Sequence, residues 1–201
     1  MKKIIVVAVA LLAAVTASAE GFGLVGGYTS SSMKMKEISL KSSAGVHAGF
    51  AYNLPLGAGF ALQPELIYNV KGFNWQDFNE GDGTDALKKM KFGFVELPVQ
   101  LQWGPDLLLL RPYLLAEPFV GYAVTGKKVI NSDKAKFDFA NMKERFEYGV
   151  GVGAGIELYS SIQLSFKYFW NFEDAARWSD VTDKVKTRSF NGLAFSLALF
   201  F

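Results

Sequence analysis

The sequence predicts an all-β fold: an eight-stranded antiparallel up-and-down β-barrel that spans a membrane, preceded by a cleavable signal peptide. Three observations predict it. Apolar residues recur with period two in segment after segment, the spacing of strands. The bulky members of that alternation share one face, and the small and charged members share the other. Short turns alternate with long polar loops along the chain.

The chain opens with Lys2 and Lys3, then an unbroken apolar run from Ile4 to Val15, then the small-x-small pattern Ala17-Ser18-Ala19. A run this short suits a signal peptide and cannot cross a bilayer as a helix. Cleavage after Ala19 makes residues 1–19 the signal peptide and residues 20–201 one barrel domain. Cleavage also removes two of the 21 basic residues and none of the 19 acidic ones, so the mature chain is formally neutral. The basic pI therefore belongs to the export segment, and nucleic acid is not an expected partner. Cysteine is absent, which excludes a disulfide scaffold and thiolate metal sites.

The first strand, from about Gly21 to Thr29, puts Phe22, Leu24 and Tyr28 on one face. In the second, Val46, Ala48, Phe50, Tyr52 and Leu54 oppose His47, Gly49, Ala51 and Asn53. In the third, Phe60, Leu62, Pro64, Leu66, Tyr68 and Val70 oppose Gln63, Glu65, Asn69 and Lys71. The fourth sets Leu97, Val99, Leu101 and Trp103 against Gln100 and Gln102. The fifth runs from Leu110 to Tyr122, with Leu114, Ala116 and Val120 opposite Arg111, Tyr113 and Glu117. In the sixth, Tyr148, Val150, Val152 and Ile156 oppose Glu147, four glycines and Glu157. The seventh sets Ile162, Leu164, Phe166, Tyr168 and Trp170 against Gln163, Ser165, Lys167 and Phe169. The eighth sets Leu193, Phe195, Leu197, Leu199 and Phe201 against Gly192, Ala194, Ser196 and Ala198. Short turns fall near Leu54–Gly57, Gly104–Asp106 and Tyr159–Ser161, and long polar loops near Ser30–Lys41, Asn74–Lys88, Gly126–Met142 and Asn171–Lys186. That rhythm is the pattern of an outer-membrane barrel, and an even strand number brings both termini to the short-turn, periplasmic side.

Alternation alone allows a soluble barrel with its apolar face inside or a membrane barrel with that face outside. Side-chain volume decides between them. The bore of an eight-stranded barrel is only wide enough to be filled by side chains. Phe, Tyr, Trp and Leu on nearly every strand are too bulky for it, whereas Gly, Ala, Ser, Asn and Gln fit. Energy agrees, because Arg or Lys facing lipid at mid-membrane costs about 2–4 kcal/mol. Glu65, Glu96, Arg111, Glu117, Glu157 and Lys167 are therefore expected to point inward, and in so narrow a space they must pair. The expectation is a lumenal ion-pair network with Arg111 and Lys167 as its cations and several glutamates as their partners. Such a network fills and fixes the barrel; the alternative is a charged constriction for solute passage. The filled lumen is favoured on bore size. Tyr52, Tyr68, Trp103, Tyr122, Tyr148, Trp170 and Phe201 are expected in interfacial aromatic girdles against outer-membrane lipid.

Pro64, Pro98, Pro112 and Pro118 fall within strands, where each removes a ladder donor. Phe92 and Phe94 also have the opposite parity to Leu97, Val99 and Leu101. If all five face lipid, a β-bulge is required near Val95–Pro98.

The stretches LQPELIYNVKG, VELPVQLQW, LRPYLLAEPFVGY, GVGVGAGIEL and FSLALFF resemble the outer-membrane β-barrel domain family often called porin-like or PorT-like, across the whole mature chain. The proline placements are the most specific part of that resemblance. The OmpX/OmpA-type barrels are similar in architecture only. The resemblance implies an outer-membrane location and little chemistry. Phe201, with Gly192, Phe195 and Leu197, resembles the C-terminal signal read by the barrel-assembly machinery, although Phe190 stands where a polar residue is usual. An envelope or secretion complex is a further expected partner.

Other chemistry is thinly represented. His47 is the only histidine. With Ser42 and Ser43 it suggests a Ser–His pair of the kind a lipid-modifying enzyme needs, but no motif fixes a third group, and a hydrogen-bonded inward histidine is expected instead. Asp77, Glu80, Asp82 and Asp85 cluster around two glycines in the second long loop without the spacing of an EF-hand, so a solvated acidic loop is expected rather than calcium. Lys127, Lys128, Lys134 and Lys136 make the third loop mildly basic, again as a solvated face. No cofactor and no metal are expected, and the chain is not expected to be an enzyme.

Overall fold

The structure, a computed structural model, describes residues 21–34, 41–77, 86–107, 109–130, 133–136, 145–173 and 189–201. The expected signal peptide lies outside them, as do Glu80, Asp82 and Asp85. The strands are β1 Phe22–Lys34, β2 Lys41–Tyr52, β3 Leu54–Gly57, β4 Phe60–Asp77, β5 Ala86–Trp103, β6 Leu110–Ile130, β7 Asp133–Lys136, β8 Phe146–Leu158, β9 Ile162–Glu173 and β10 Ser189–Phe200. Neighbours pair antiparallel in the order β2-β1-β10-β9-β8-β6-β5-β4, and β2 pairs with β4, which closes the ring. β3 continues β2 against β4 in unchanged register, Ala51 opposite Glu65 and Leu54 opposite Leu62. Eight staves therefore form the barrel, and β7 folds back on the far end of β6. Several staves run further into the expected loops than alternation showed, because ladder pairing continues beyond the apolar stretch: β4 and β5 stay paired out to Asp77 opposite Ala86.

The bulky face is outside. Leu24, Phe50, Leu101, Leu114, Val152, Phe166 and Leu197 are exposed on the outer wall, whereas Gln63, Glu65, Gln100, Gln102, Glu117 and Lys167 are buried inside. The glycines of β8 explain how the interior accommodates large side chains from β6. A Cβ on Gly149 would come within 2.6 Å of the Phe119 ring, and one on Gly155 would collide with the Tyr113 ring. Removing side chains from one stave makes room for those of its neighbour.

Both described ends lie at the short-turn end. The Phe201 amide donates to the Phe22 carbonyl at 3.0 Å, and the Asn53 amide to the Gly21 carbonyl at 2.7 Å. Gly57, Ala58 and Gly59 turn between β3 and β4 with φ of 85°, 52° and 79°. Tyr159 and Ser160 turn between β8 and β9 with φ of 52° and 55°, a left-handed conformation that glycine adopts more easily. Among the described residues β3 is paired on one edge only. Asn53 aims its N–H toward that edge, so alternation puts the nitrogen of Pro55 there too, and proline blunts an open strand edge.

The bulge expected near Val95–Pro98 is absent. β5 holds one register with β4 from Ala86 to Trp103, and Phe92 and Phe94 are buried in the lumen on the same face as Glu96, Gln100 and Gln102. Hydrophobicity placed these two rings on lipid; both instead face the lumen, where the Phe94 ring lies against a buried ammonium, as described below. Register shifts occur elsewhere: in β2 between Ser42 and His47, in β6 at Val124, and in β9 at Phe172. Pro64, Pro98 and Pro118 are accommodated by gaps in the ladder, whereas Pro112 sits in an unbroken one. Pairing lapses between β4 and β5 at Pro98, and between β5 and β6 at Pro118. The stave formed by β2 and β3 breaks at Asn53, diagonally beside Pro64. Pro64 lies opposite Val99 and Pro98 opposite Phe119, so these losses are gathered into one row across three adjacent staves.

Candidate functional site

The interior is the candidate site, and it is built in three layers. At the short-turn end, Arg111 is held by four acceptors: Glu157 Oε2 at 3.0 Å, Gln102 Oε1 at 3.1 Å, the Gly59 carbonyl at 3.2 Å, and Asp106 Oδ1 at 3.3 Å. Its guanidinium also lies 5.3 Å from the centre of the Tyr113 ring. Gln102 donates to Gln63 at 3.0 Å and to Gln100 at 3.1 Å, and Gln163 donates to Glu157 at 2.9 Å. Amides carry both a donor and an acceptor, so this belt of glutamines satisfies itself around one ion pair. Below it opens a mouth of about 610 Å³, lined by Tyr52, Phe60, Phe200, Arg111, Asp106 and Ser160 among others.

In the middle layer both carboxylate oxygens of Glu117 accept from Lys167 Nζ, at 2.6 and 2.5 Å. Glu65 lies beside this pair, and among the described residues it is held by the amides of Gln63 at 2.8 Å and Gln100 at 2.7 Å rather than by a cation.

The loop-side layer centres on Lys71, which is 1 % exposed. Its ammonium lies 2.9 Å from Glu96 Oε1 and 3.0 Å from Glu147 Oε1. The rings of Phe119, Phe169 and Phe94 surround it, with centroids at 4.7, 4.9 and 5.4 Å. Asn171 donates to the second oxygen of Glu147, and Asn69 to Glu96 Oε2 at 3.1 Å.

His47 links the layers. Thr29 donates to Asn69 at 3.1 Å, so it accepts from His47 Nδ1 at 2.9 Å, and Ser196 then donates to His47 Nε2 at 2.9 Å. The hydroxyls against the imidazole are thus those of Thr29 and Ser196, not of Ser42 or Ser43. A catalytic arrangement wants a carboxylate where Thr29 stands and a route to the substrate. Both His47 and Ser196 are buried in the lumen.

Glu65, Glu96, Arg111, Glu117, Glu157 and Lys167 are all buried inside the barrel. Arg111 meets Glu157 and Lys167 meets Glu117, but the cation of Glu96 is Lys71, and Glu65 has glutamine partners. Lys71 and Glu147 are the residues that strand alternation put on the inner face and network reasoning left out. Their parity was the available signal. Of the aromatic set, Tyr68, Trp103, Tyr148, Trp170 and Phe201 are exposed on the wall and Tyr122 is half-buried. Two belts result. Near the turns, Phe22 contacts Phe50 and Phe201, and Phe60 contacts Trp103. Toward the loops, Phe146, Tyr148 and Phe172 form a run, and Tyr168 contacts Trp170. Tyr52 departs from its expected place: it is buried and lines the mouth, because the stave breaks at the next residue and its ring leaves the outer wall. Among the described residues no group of three His, Asp or Glu side chains could hold a metal.

Among solved structures, Neisserial surface protein A superposes with a TM-score of 0.47 at 13% identity, covering 92% of this chain and 99% of that one. A major outer membrane protein from Thermus thermophilus gives 0.47 at 12% identity, covering 92% and 100%. The attachment invasion locus protein of Yersinia pestis gives 0.44 at 13% identity, covering 90% and 98%. No curated protein sequence matches the chain. A model of the outer membrane protein beta-barrel domain matches residues 18–177. The chain belongs to the outer membrane protein beta-barrel domain family, a closed eight-stranded barrel of the bacterial outer membrane.

Proposed function

We propose that the protein is a non-catalytic structural or interaction barrel: its lumen is a filled plug, and it acts through surfaces presented at its two ends, with both termini periplasmic. The lumen carries this reading. Three successive ion-paired layers, Arg111–Glu157, Lys167–Glu117 and Lys71 with Glu96 and Glu147, cross the bore, and the polar cavity between the last two has only about 10 Å³ of free space, room for about one water. A solute would have to break buried ion pairs, each costing about 3–5 kcal/mol when one partner is lost. The outer wall contacts outer-membrane lipid, the C-terminal strand ending in Phe201 presents the signal for the barrel-assembly machinery, and the ends dock an envelope or secretion complex.

Two experiments test this. Single-channel recording of the refolded protein is expected to show no steady conductance. A steady current altered by neutralising Arg111 would replace the plug with a narrow solute channel. Co-purification from a mild detergent is expected to retain a stoichiometric envelope partner. Recovery of the barrel alone, under conditions that preserve other envelope complexes, would count against the docking role.

A further inference from the structure

The surroundings of Lys71 have the composition of a ligand site rather than of a structural ion pair. One carboxylate is enough to balance the charge of an ammonium. Here two carboxylates and three aromatic faces converge on a single ammonium, with ring centroids at 4.7–5.4 Å, inside a lumen. Aromatic faces attract a cation through their quadrupoles, and an aromatic cage is a known way to bind organic ammonium ions. The carboxylates are themselves oriented, Glu96 by Asn69 and Glu147 by Asn171. A Cβ on Gly121 would come within 2.8 Å of Glu147 Oε1 and 3.0 Å of Glu96 Cγ, so the backbone of β6 also makes room for the pair. The cation comes from β4, the rings from β5, β6 and β9, and the carboxylates from β5 and β8.

We propose that the loop-side lumen is a binding site for a primary alkylammonium, and that its resident ligand is the protein's own Lys71. This rests on the filled-lumen reading and deepens it, since the plug becomes a tethered ligand seated in a receptor. Tethering gives Lys71 a high effective concentration, so a free ammonium cannot compete in the wild-type barrel.

Cutting the tether tests the site. Lys71→Ala removes a fragment whose free equivalent is n-propylammonium. In the refolded variant, n-propylammonium should lower the unfolding constant in proportion to its concentration above the dissociation constant, by about tenfold at roughly ten times that constant. Sodium and n-propanol at the same concentrations should not. Lys71→Met fills the cage without a charge and should not respond. A Lys71→Ala barrel indifferent to n-propylammonium, or stabilised equally by sodium or n-propanol, would overturn the proposal. So would Lys71→Ala failing to fold with n-propylammonium present while Lys71→Met folds. A readout in the wild-type protein covers the case in which neither variant folds. The ε-methylene protons of Lys71 should be shifted upfield by ring currents relative to the surface lysines, and coincidence with them would sink the idea. Steady conductance in wild type would count against the plug, and it leaves the ammonium result to be judged separately.

Discussion

A single side chain in this lumen has two kinds of worth, and they differ in sign. Lys167 and Glu117 are buried and bonded through both carboxylate oxygens. Lys167→Met should destabilise the barrel by about 3–5 kcal/mol because it strands a buried carboxylate, and adding Glu117→Leu should recover most of that loss. Urea unfolding in lipid vesicles reads both numbers. Gly149→Leu should also destabilise, by at least about 1–3 kcal/mol, because its side chain meets the Trp170 backbone carbonyl and must displace the Phe119 ring beside Lys71. At this scale the sequence was legible only in part. Period-two alternation put Glu65, Arg111, Glu117 and Lys167 on the inner face, because parity is local. It could not say that Arg111 meets Glu157 while Glu65 meets glutamines, because partners are set by the stagger between staves. Phe92 and Phe94 show a second limit. Hydrophobicity alone does not distinguish a ring against acyl chains from a ring buried in the lumen, where that of Phe94 lies against an ammonium.

The strands and turns hold the conformational cost. Tyr159 and Ser160 both adopt positive φ without being glycine. Ser160→Gly should stabilise the barrel by roughly 0.5–1 kcal/mol, the relief of left-handed strain less the added freedom of the unfolded chain; the shift in urea midpoint measures it. The proline row is the opposite case, a loss that no local change of conformation relieves. Pro98 lies beside Glu65 in a ladder that lapses there. Pro98→Ala supplies a donor toward Glu65, and hydrogen exchange at Glu65 and Ile67, whose amides face β5, should slow relative to wild type while exchange in the continuous ladder of β6 with β8 stays unchanged. The number of staves and the sorting of their faces could be read from the sequence. Where register shifts fall could not: the extra residues at Val124 and Phe172 are defined only by pairing with neighbours.

For the molecule as a whole, the inversion of inside and outside is the property to challenge. Phe195 and Phe166 face each other on the exposed wall of β10 and β9, with Ser196 and Ser165 on the lumenal side. Phe195→Arg should destabilise the membrane-inserted barrel by about 2–4 kcal/mol in bilayers, a loss that should shrink in detergent micelles, where water reaches the wall more easily. Equal losses in both media would place that residue off the lipid face. Ring closure, finally, couples two events. β1 and β10 are zipped along their lengths, from Gly23 opposite Phe200 to Lys34 opposite Ser189. Until β10 reaches the rest of the chain, β1 has an unsatisfied edge that no hydrocarbon phase can tolerate. Insertion into bare lipid, hairpin by hairpin, would leave that edge in hydrocarbon, so in vesicles free of other proteins the crossing of the bilayer and the closing of the β1–β10 seam are expected to occur together.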